Sequence, residues 1–342
     1  MKRTVSIAAL ALALTNSAFA ADLPHYKAPL LPPPPPPPLW TGFYAGLNAG
    51  YAFGTSNQVN TAAYPILDRL AGATQFLNGN PFITSNFIPG ITSLANTGFA
   101  NVNQNGFIGG GQIGYNYQWG QSFVVGVEAD IQGAGIRGRG GYSGASSDRF
   151  GFGLGNFVPG VPDFVSLART AVGSGEITAG IDWMGTVRGR LGWLAMPTLL
   201  VYGTGGLAYG GAYASATHSA GGTLSLTFPI LPIIPAINFG APVVPGSGQY
   251  SDTRVGWTAG GGFEWMVMPN WSVKAEALYY DLGSATFSSS PVIAISPLGI
   301  GGFGGPFIAN VPTTRVKFDG VIARVGINYH FNWGAAPIVA KY

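Results

Sequence analysis

From Trp40 onward the chain alternates with a period of two. Phe43, Ala45, Leu47, Ala49 and Tyr51 fall on one side, and Tyr44, Gly46, Asn48 and Gly50 on the other. That period belongs to an extended strand whose two faces meet different surroundings. The pattern recurs seven more times along the sequence. In "GFIGGGQIGYNYQW", Ile113, Tyr115, Tyr117 and Trp119 oppose Gln112, Asn116 and Gln118. In "FVVGVEADIQ", Phe123, Val125, Val127, Ala129 and Ile131 oppose Glu128, Asp130 and Gln132. In "IDWMGTVRGRLGW", Ile181, Trp183, Val187, Leu191 and Trp193 oppose Asp182, Thr186, Arg188 and Arg190. The segment "LLVYGTGGLAYG" alternates weakly because glycine dominates it. "RVGWTAGGGFEWMV" sets Val255, Trp257, Ala259, Phe263 and Trp265 against Arg254, Thr258 and Glu264, and "WSVKAEALYY" sets Trp271, Val273, Ala275, Ala277 and Tyr279 against Ser272, Lys274 and Glu276. The last, "VIARVGINYHF", sets Val321 to Phe331 in steps of two against Arg324, Asn328 and His330.

Short connections at 120–122, 196–197 and 268–270 alternate with long gaps at about 54–105, 134–176, 211–252 and 283–314. Eight strands joined in this way predict an all-β, antiparallel up-and-down array with both termini on the short-turn side. Tryptophan placement agrees with that array. Trp40, Trp119, Trp193, Trp265, Trp271 and Trp333 lie at strand ends on the short-turn or terminal side. Trp183 and Trp193 share a face ten residues apart, which at about 3.3 Å per residue and a tilt near 40° is about 25 Å, the height of a lipid-facing apolar band. Trp257 and Trp265 give roughly 20 Å by the same geometry. These eight tryptophans are the expected interfacial girdle, with Trp40, out of phase with its strand, placed just outside the ladder.

Composition narrows the array to a membrane barrel. Only 8% of the 342 residues are charged, against 54 glycines and 13% aromatics, whereas a water-soluble globule carries about 25% charge. No stretch offers the roughly 18 continuous apolar residues of a membrane helix. A charge-poor chain without such a helix still crosses lipid as a closed β-barrel. The first twenty residues read as a secretory signal, with Lys2 and Arg3, an apolar run from Val5 to Leu14, and cleavage between Ala20 and Ala21 after Ala18-Phe19-Ala20. Its loss lowers Lys+Arg from 16 to 14 against 13 Asp+Glu, a net charge of +1. That charge is too small for the electrostatic attraction of a nucleic-acid partner. The absence of cysteine excludes disulfides, so rigidity must come from strand pairing. Residues 21–39 form a linker whose run of seven consecutive prolines extends about 22 Å as polyproline II, the barrel follows from 40 to 333, and 334–342 form a short tail. The last strand ends at Phe331 or at the in-phase Trp333.

The segments "LWTGFYAGLNAGY", "WMGTVRGRLGW", "YGTGGLAYG" and "WSVKAEALYYDLG" resemble the small outer-membrane β-barrels of alphaproteobacteria, of the outer-membrane immunogenic or porin-like type, with the architecture of the eight-stranded OmpA-type barrel. The resemblance covers all the strand segments but not the loops. It implies export to the outer membrane of a Gram-negative bacterium, periplasmic termini, contact with lipid and lipopolysaccharide, and insertion by the barrel-assembly machinery. It implies a role as an envelope protein and surface antigen, with porin-like conduction of small solutes as the competing reading. The linker adds peptidoglycan as a candidate partner.

Inside such a barrel the inward charges are Glu128, Asp130, Asp182, Glu264 and Glu276 against Arg188, Arg190, Arg254, Lys274 and Arg324. Eight strands leave an interior just wide enough for side chains, so these groups are expected to pair as a plug or to form a narrow gated channel. No enzyme is expected. His25 lies in the linker, His330 at the end of the last strand, and His218 beside Ser215 and Ser219 in a long gap, where it reads as a solvated loop residue because no orienting carboxylate lies nearby in sequence. The chain offers no Cys, paired His or Asp-x-Asp loop for a metal. Gly203-Thr204-Gly205-Gly206-Leu207-Ala208 fits the loose dinucleotide pattern with neither a following helix nor a downstream acid, so no cofactor is expected. Two long gaps hold charge-free, proline-punctuated stretches, "FPILPIIPAINFGAPVVPG" and "PVIAISPLGIGGFGGPF". Such stretches either pack on one another above the barrel or present apolar surface to lipopolysaccharide, host material or a neighbouring barrel.

Overall fold

The computed structural model describes residues 39–65, 87–152, 165–241, 243–296 and 305–331. The signal sequence with Ala20 and Ala21, the linker, Trp333 and the tail lie outside these residues. Eight long strands, all antiparallel to their neighbours, form the frame: β1 (Gly42–Gly54), β4 (Gly106–Trp119), β5 (Phe123–Phe152), β6 (Val165–Met196), β7 (Leu199–Thr227), β10 (Gly246–Met268), β11 (Trp271–Ser288) and β13 (Gly305–Phe331). They pair in that order, and β13 also pairs with β1 from Phe43 opposite Phe331 to Gly54 opposite Gly320. Pairing of the last strand with the first gives every long strand a partner on both sides along its short-turn part, as a strand array in lipid requires.

The strands run much further than the alternation of apolar residues suggested. β5, β6 and β7 span 30, 32 and 29 residues, so much of the ground expected as loop at 134–176 and 211–252 is ladder. Shorter pieces decorate the far end. β2 (Gln58–Tyr64) pairs with β13 and with β3 (Gly98–Asn101), β8 (Ile237–Ala241) with β7, and β9 (Val243–Val244) with β12 (Val292–Ser296), which in turn pairs with β13.

Bulges mark the level at which the barrel changes character. Asp182 is the extra residue between Ile181 and Trp183, which face consecutive positions of β7. The β11–β13 register shifts between Asp281 and Ser284, where Gly283 takes a φ of 77°. A left-handed glycine is what such a bulge requires. Below this level the outside is apolar, with Phe123, Val127, Ile131, Val187, Leu191 and Trp193 exposed. Beyond it the outside carries the ion pairs Arg137–Asp182 at 3.7 Å and Arg139–Glu176 on one side, and Lys317 with Asp281 and Asp319 at 3.3 and 2.8 Å on another. The interior changes in the opposite sense. It is charged near the short turns and becomes apolar further along, where Ile136, Ile177, Ile181, Met184, Leu278, Leu282, Phe318 and Ile322 form one buried cluster.

A short helix, α1 (Phe87–Ala95), sits over the apolar half of the interior. Ile91 and Ala95 pack with Ala171 of β6. The helix end fits only because Gly144 and Gly173 lack side chains, since a Cβ on either would collide with the Ala95 carbonyl oxygen.

Candidate functional site

The short-turn half of the interior gathers Glu128 and Asp130 of β5, Arg188 and Arg190 of β6, Glu264 of β10, Lys274 and Glu276 of β11, and Arg324 of β13, all buried. Strand alternation places them there, because each lies on the face opposite the apolar residues of its strand. In the strand order, β5 and β11 are four places apart among eight and so face each other across the lumen. Lys274 Nζ nonetheless reaches Glu128 Oε1 at 2.8 Å and Glu276 Oε1 at 3.1 Å. Arg188 bonds Glu128, Asp130 at 3.0 Å and Glu276 at 3.1 Å. Arg324 donates to Asp130 at 2.8 Å and to Glu276 at 2.6 Å. Arg190 pairs with Glu264 and lies 3.7 Å over the ring of Tyr202. Four cations thus meet four carboxylates with walls on opposite sides tied together. Paired and multiply hydrogen-bonded, each buried charge keeps a partner, which is the condition for tolerating it out of water.

Neutral groups complete the layer; the alternation puts all but Tyr202 on the inward face, without assigning them to the charges they bond. Tyr44 donates to Glu128 at 2.7 Å, Tyr202 to Glu276 at 3.2 Å and Thr186 to Asp130 at 2.8 Å. Ser272 and Asn328 donate to Glu264 at 2.5 and 2.7 Å, with His330 beside Ser272 at 2.9 Å. Gln112 bridges Asn48 and Asn328. Each shares the inward phase of the charged residues, and that phase was the available signal. For Tyr202 the signal was faint because glycine blurs the alternation of β7.

Three expectations are corrected. Asp182 is not in the lumen. The bulge shifts β6 by one residue, so Asp182 turns outward, 57% exposed, to Arg137, while Ile181 turns in. Arg254 is only partly buried and meets no carboxylate among the described residues. It donates to the carbonyls of Leu282 and Ser284 at 3.2 and 3.0 Å, at the level of the β11 bulge. Trp40 is not part of the girdle. It is fully buried under the short-turn mouth, where its Nε1 donates to the Pro197 carbonyl at 3.0 Å and its backbone N–H to Gln118 Oε1 at 3.3 Å. Its ring meets His330 edge-on at 5.8 Å and packs in a cluster with Val124, Leu194, Leu200, Tyr202 and Met266. The chain entering β1 therefore crosses beneath the opening, and an indole with an apolar body and one donor fills it at little cost.

The remaining tryptophans within the described residues stand outside. Trp119, Trp193, Trp265 and Trp271 are exposed at the short-turn end. Trp183 beside Tyr209, and Trp257 beside Tyr279, lie at the other limit of the apolar surface.

At the far end a second polar group surrounds α1. Tyr142 donates to the Asn96 carbonyl at 2.6 Å, so its oxygen accepts from His218 Nδ1 at 3.1 Å. This leaves His218 Nε2 to accept from Thr314 at 3.3 Å, and Thr314 lies 3.1 Å from Thr61. Burial lowers the His218 pKa from 6.5 to about 4 and raises that of Tyr142 to about 12. The ring is therefore neutral at physiological pH and acts as a structural link, not as the solvated loop residue its position in the sequence suggested.

No family model matches the chain. It is 31% identical over 293 residues to the 31 kDa outer-membrane immunogenic protein of Brucella melitensis and to that of Brucella suis, covering 82% of this chain and 88% of theirs. It is 30% identical over 201 residues to the 22 kDa outer membrane protein of Rhizobium leguminosarum, covering 56% and 64%. Among solved structures, the outer membrane protein OprG of Pseudomonas aeruginosa aligns over 85% of this chain and 96% of its own at 9% identity, with a TM-score of 0.32. With identity of 31% sustained across more than four-fifths of both chains, and with the ladder and girdles described above, this protein belongs to the outer-membrane immunogenic family of β-barrel proteins.

Proposed function

We propose that the protein is a non-conducting, eight-stranded transmembrane barrel that serves the envelope structurally and contacts the surroundings through its far end. In this reading the signal sequence exports it, the three short turns and both termini are periplasmic, and the four long connections face outward. Lipid and lipopolysaccharide surround the apolar belt, the barrel-assembly machinery inserts it, and the proline linker reaches toward peptidoglycan. The observation that carries the closed reading is Lys274 bonded to Glu128 from the opposite wall. Trp40 below and α1 above support it, because each adds a separate barrier along the same axis.

Refolded protein in a planar lipid bilayer tests this directly. No stable current is expected, and steady steps of nanosiemens size would overturn it. Cell-wall co-sedimentation with and without residues 22–38 tests the linker. Loss of sedimentation in the shortened chain is expected, and unchanged sedimentation removes peptidoglycan as its partner.

A further inference from the structure

The turn segment between β7 and β8 reads FPILPIIPAI from Phe228 to Ile237. Its aliphatic side chains stand in the open: Ile233 is 89% exposed and Leu231 50%, with Ile230, Ile234 and Ile237 also exposed. The two charge-free stretches do meet, since Val243 and Val244 pair with Ala294 and Ile293 and Val243 packs with Val292, but the tip from Ile230 to Ile237 keeps its aliphatic groups exposed. The backbone, by contrast, is held. Leu231 N–H donates to the Phe228 carbonyl and Ile234 N–H to the Leu231 carbonyl, both at 2.9 Å. These are two successive turns, each with proline at its second position, the place where a fixed φ favours the turn.

Five of the seven residues from Pro229 to Pro235 present no free backbone N–H, three because proline has none and two because the turns use theirs. Water would satisfy such donors without help. Hydrocarbon would not, so each donor that proline removes or a turn closes lowers the cost of entering its boundary. The segment itself is uncharged, since no Lys, Arg, Asp or Glu occurs between Arg190 and Asp252, and the nearest charges across the ladder, Arg149 and the paired Arg169 and Asp148, stand at the level of Leu224 and Ser225 below it. A charged partner therefore finds no counterpart on the tip.

Distance excludes the membrane that holds the barrel. Thr227 lies 28 residues beyond Leu199, about 70 Å along the axis at about 3.3 Å per residue and a tilt near 40°. The apolar belt takes up about 25 Å of that height, leaving the tip about 45 Å past it. Size argues against a protein partner or a second copy. The five side chains together expose less than three fully open aliphatic residues would, short of the roughly 800 Å² per partner that a stable protein interface buries. A bilayer needs neither matched shape nor opposite charge, only apolar groups presented together.

We infer that Ile230, Leu231, Ile233, Ile234 and Ile237 form a preorganised insertion tip for a second, uncharged lipid bilayer facing the cell. This deepens the surface-contact reading above and rests on its outward orientation of this end. The test is flotation of full-length protein in nanodiscs with phosphatidylcholine vesicles. The wild type co-floats, and a Leu231→Ser, Ile233→Ser, Ile234→Ser triple variant with unchanged heat-modified gel mobility loses about tenfold in bound fraction. Ile233→Cys carrying an environment-sensitive dye, in a chain with no other cysteine, shifts its emission to the blue on these vesicles. The inference fails if the wild type stays unbound, if the triple variant floats equally, if the dye does not shift, if only anionic vesicles bind, or if nanodiscs pair without vesicles. Binding to whole host cells separates the two levels. If the wild type binds cells but not vesicles, the lipid assignment falls and the surface-contact reading stands; if it binds neither, both fall.

Discussion

Lys274 and Glu128 belong to strands on opposite walls of the barrel, and Nζ of the first lies 2.8 Å from a carboxylate oxygen of the second. A bond of that kind closes a lumen in a way that pairing between adjacent strands does not. Lys274→Met removes it and leaves Glu128 with Arg188, Tyr44 and, at 3.8 Å, Arg324 as its remaining partners. Stability in urea is expected to drop by about 3 kcal/mol, the lower end for a broken buried pair. A change under about 0.5 kcal/mol, the size of an exposed pair, would show that the contact contributes nothing across the lumen.

Trp40 is the floor of the same interior, so its removal is expected to act on access as well as stability. Trp40→Ala leaves a large cavity and costs about 3 to 5 kcal/mol. Val124, buried behind it, gives the second reading. A Val124→Cys variant resists a polar thiol reagent added at the short-turn face, and the combined Trp40→Ala, Val124→Cys variant reacts. Equal labelling of both would show that Trp40 does not seal the mouth.

The loop end is expected to loosen in acid. His218 is neutral when folded, with a pKa of about 4 against an ordinary 6.5, and its strand has already left the apolar belt. The unfolded chain therefore binds the extra proton first. The contribution is fully present above pH 6.5 and is lost between pH 6.5 and 4, reaching about 3 kcal/mol when complete. Hydrogen exchange in α1 and in β7 beyond Gly210 should speed up across that window, and His218→Gln should flatten the dependence. Exchange independent of pH in the wild type would remove His218 from the link.

Gly173→Ala tests the seat of α1. The added methyl collides with the Ala95 carbonyl, so the helix must shift while the charged layer, far below, stays in place. Chymotryptic cleavage near Phe99 is expected to become at least about tenfold faster, a weakening of about 1.4 kcal/mol in the local closed state, with no change in global heat-modifiability. Unchanged cleavage would show that α1 does not depend on this close approach.

The strands near the short turns were legible because lipid on one face and side chains on the other impose a strict alternation on sequences such as "FVVGVEADIQ". The extensions of β5, β6 and β7 were not. Beyond the bulges water lies outside and apolar groups lie inside, so glycine, serine and threonine replace the bulky outward set and the sequence looks like loop. Asp182 misled for a related reason. One inserted residue reverses every later side chain of a strand, and nothing in "GIDWMG" announces it. Trp40 was read by residue type, as an interfacial aromatic. Its phase, opposite to Phe43 and Leu47, was the better guide to where it points.

The reversal of polarity at the bulges also fixes how deep the molecule can sit. Raising the barrel would draw Val187 and Ile131 into water, and lowering it would drag Arg137, Asp182 and Lys317 toward hydrocarbon. The charged ring therefore acts as a waterline, and the reach of the far end depends on strand length alone. Each pair of residues removed from both strands of a hairpin beyond the ring would bring its tip about 5 Å closer to the membrane that holds it.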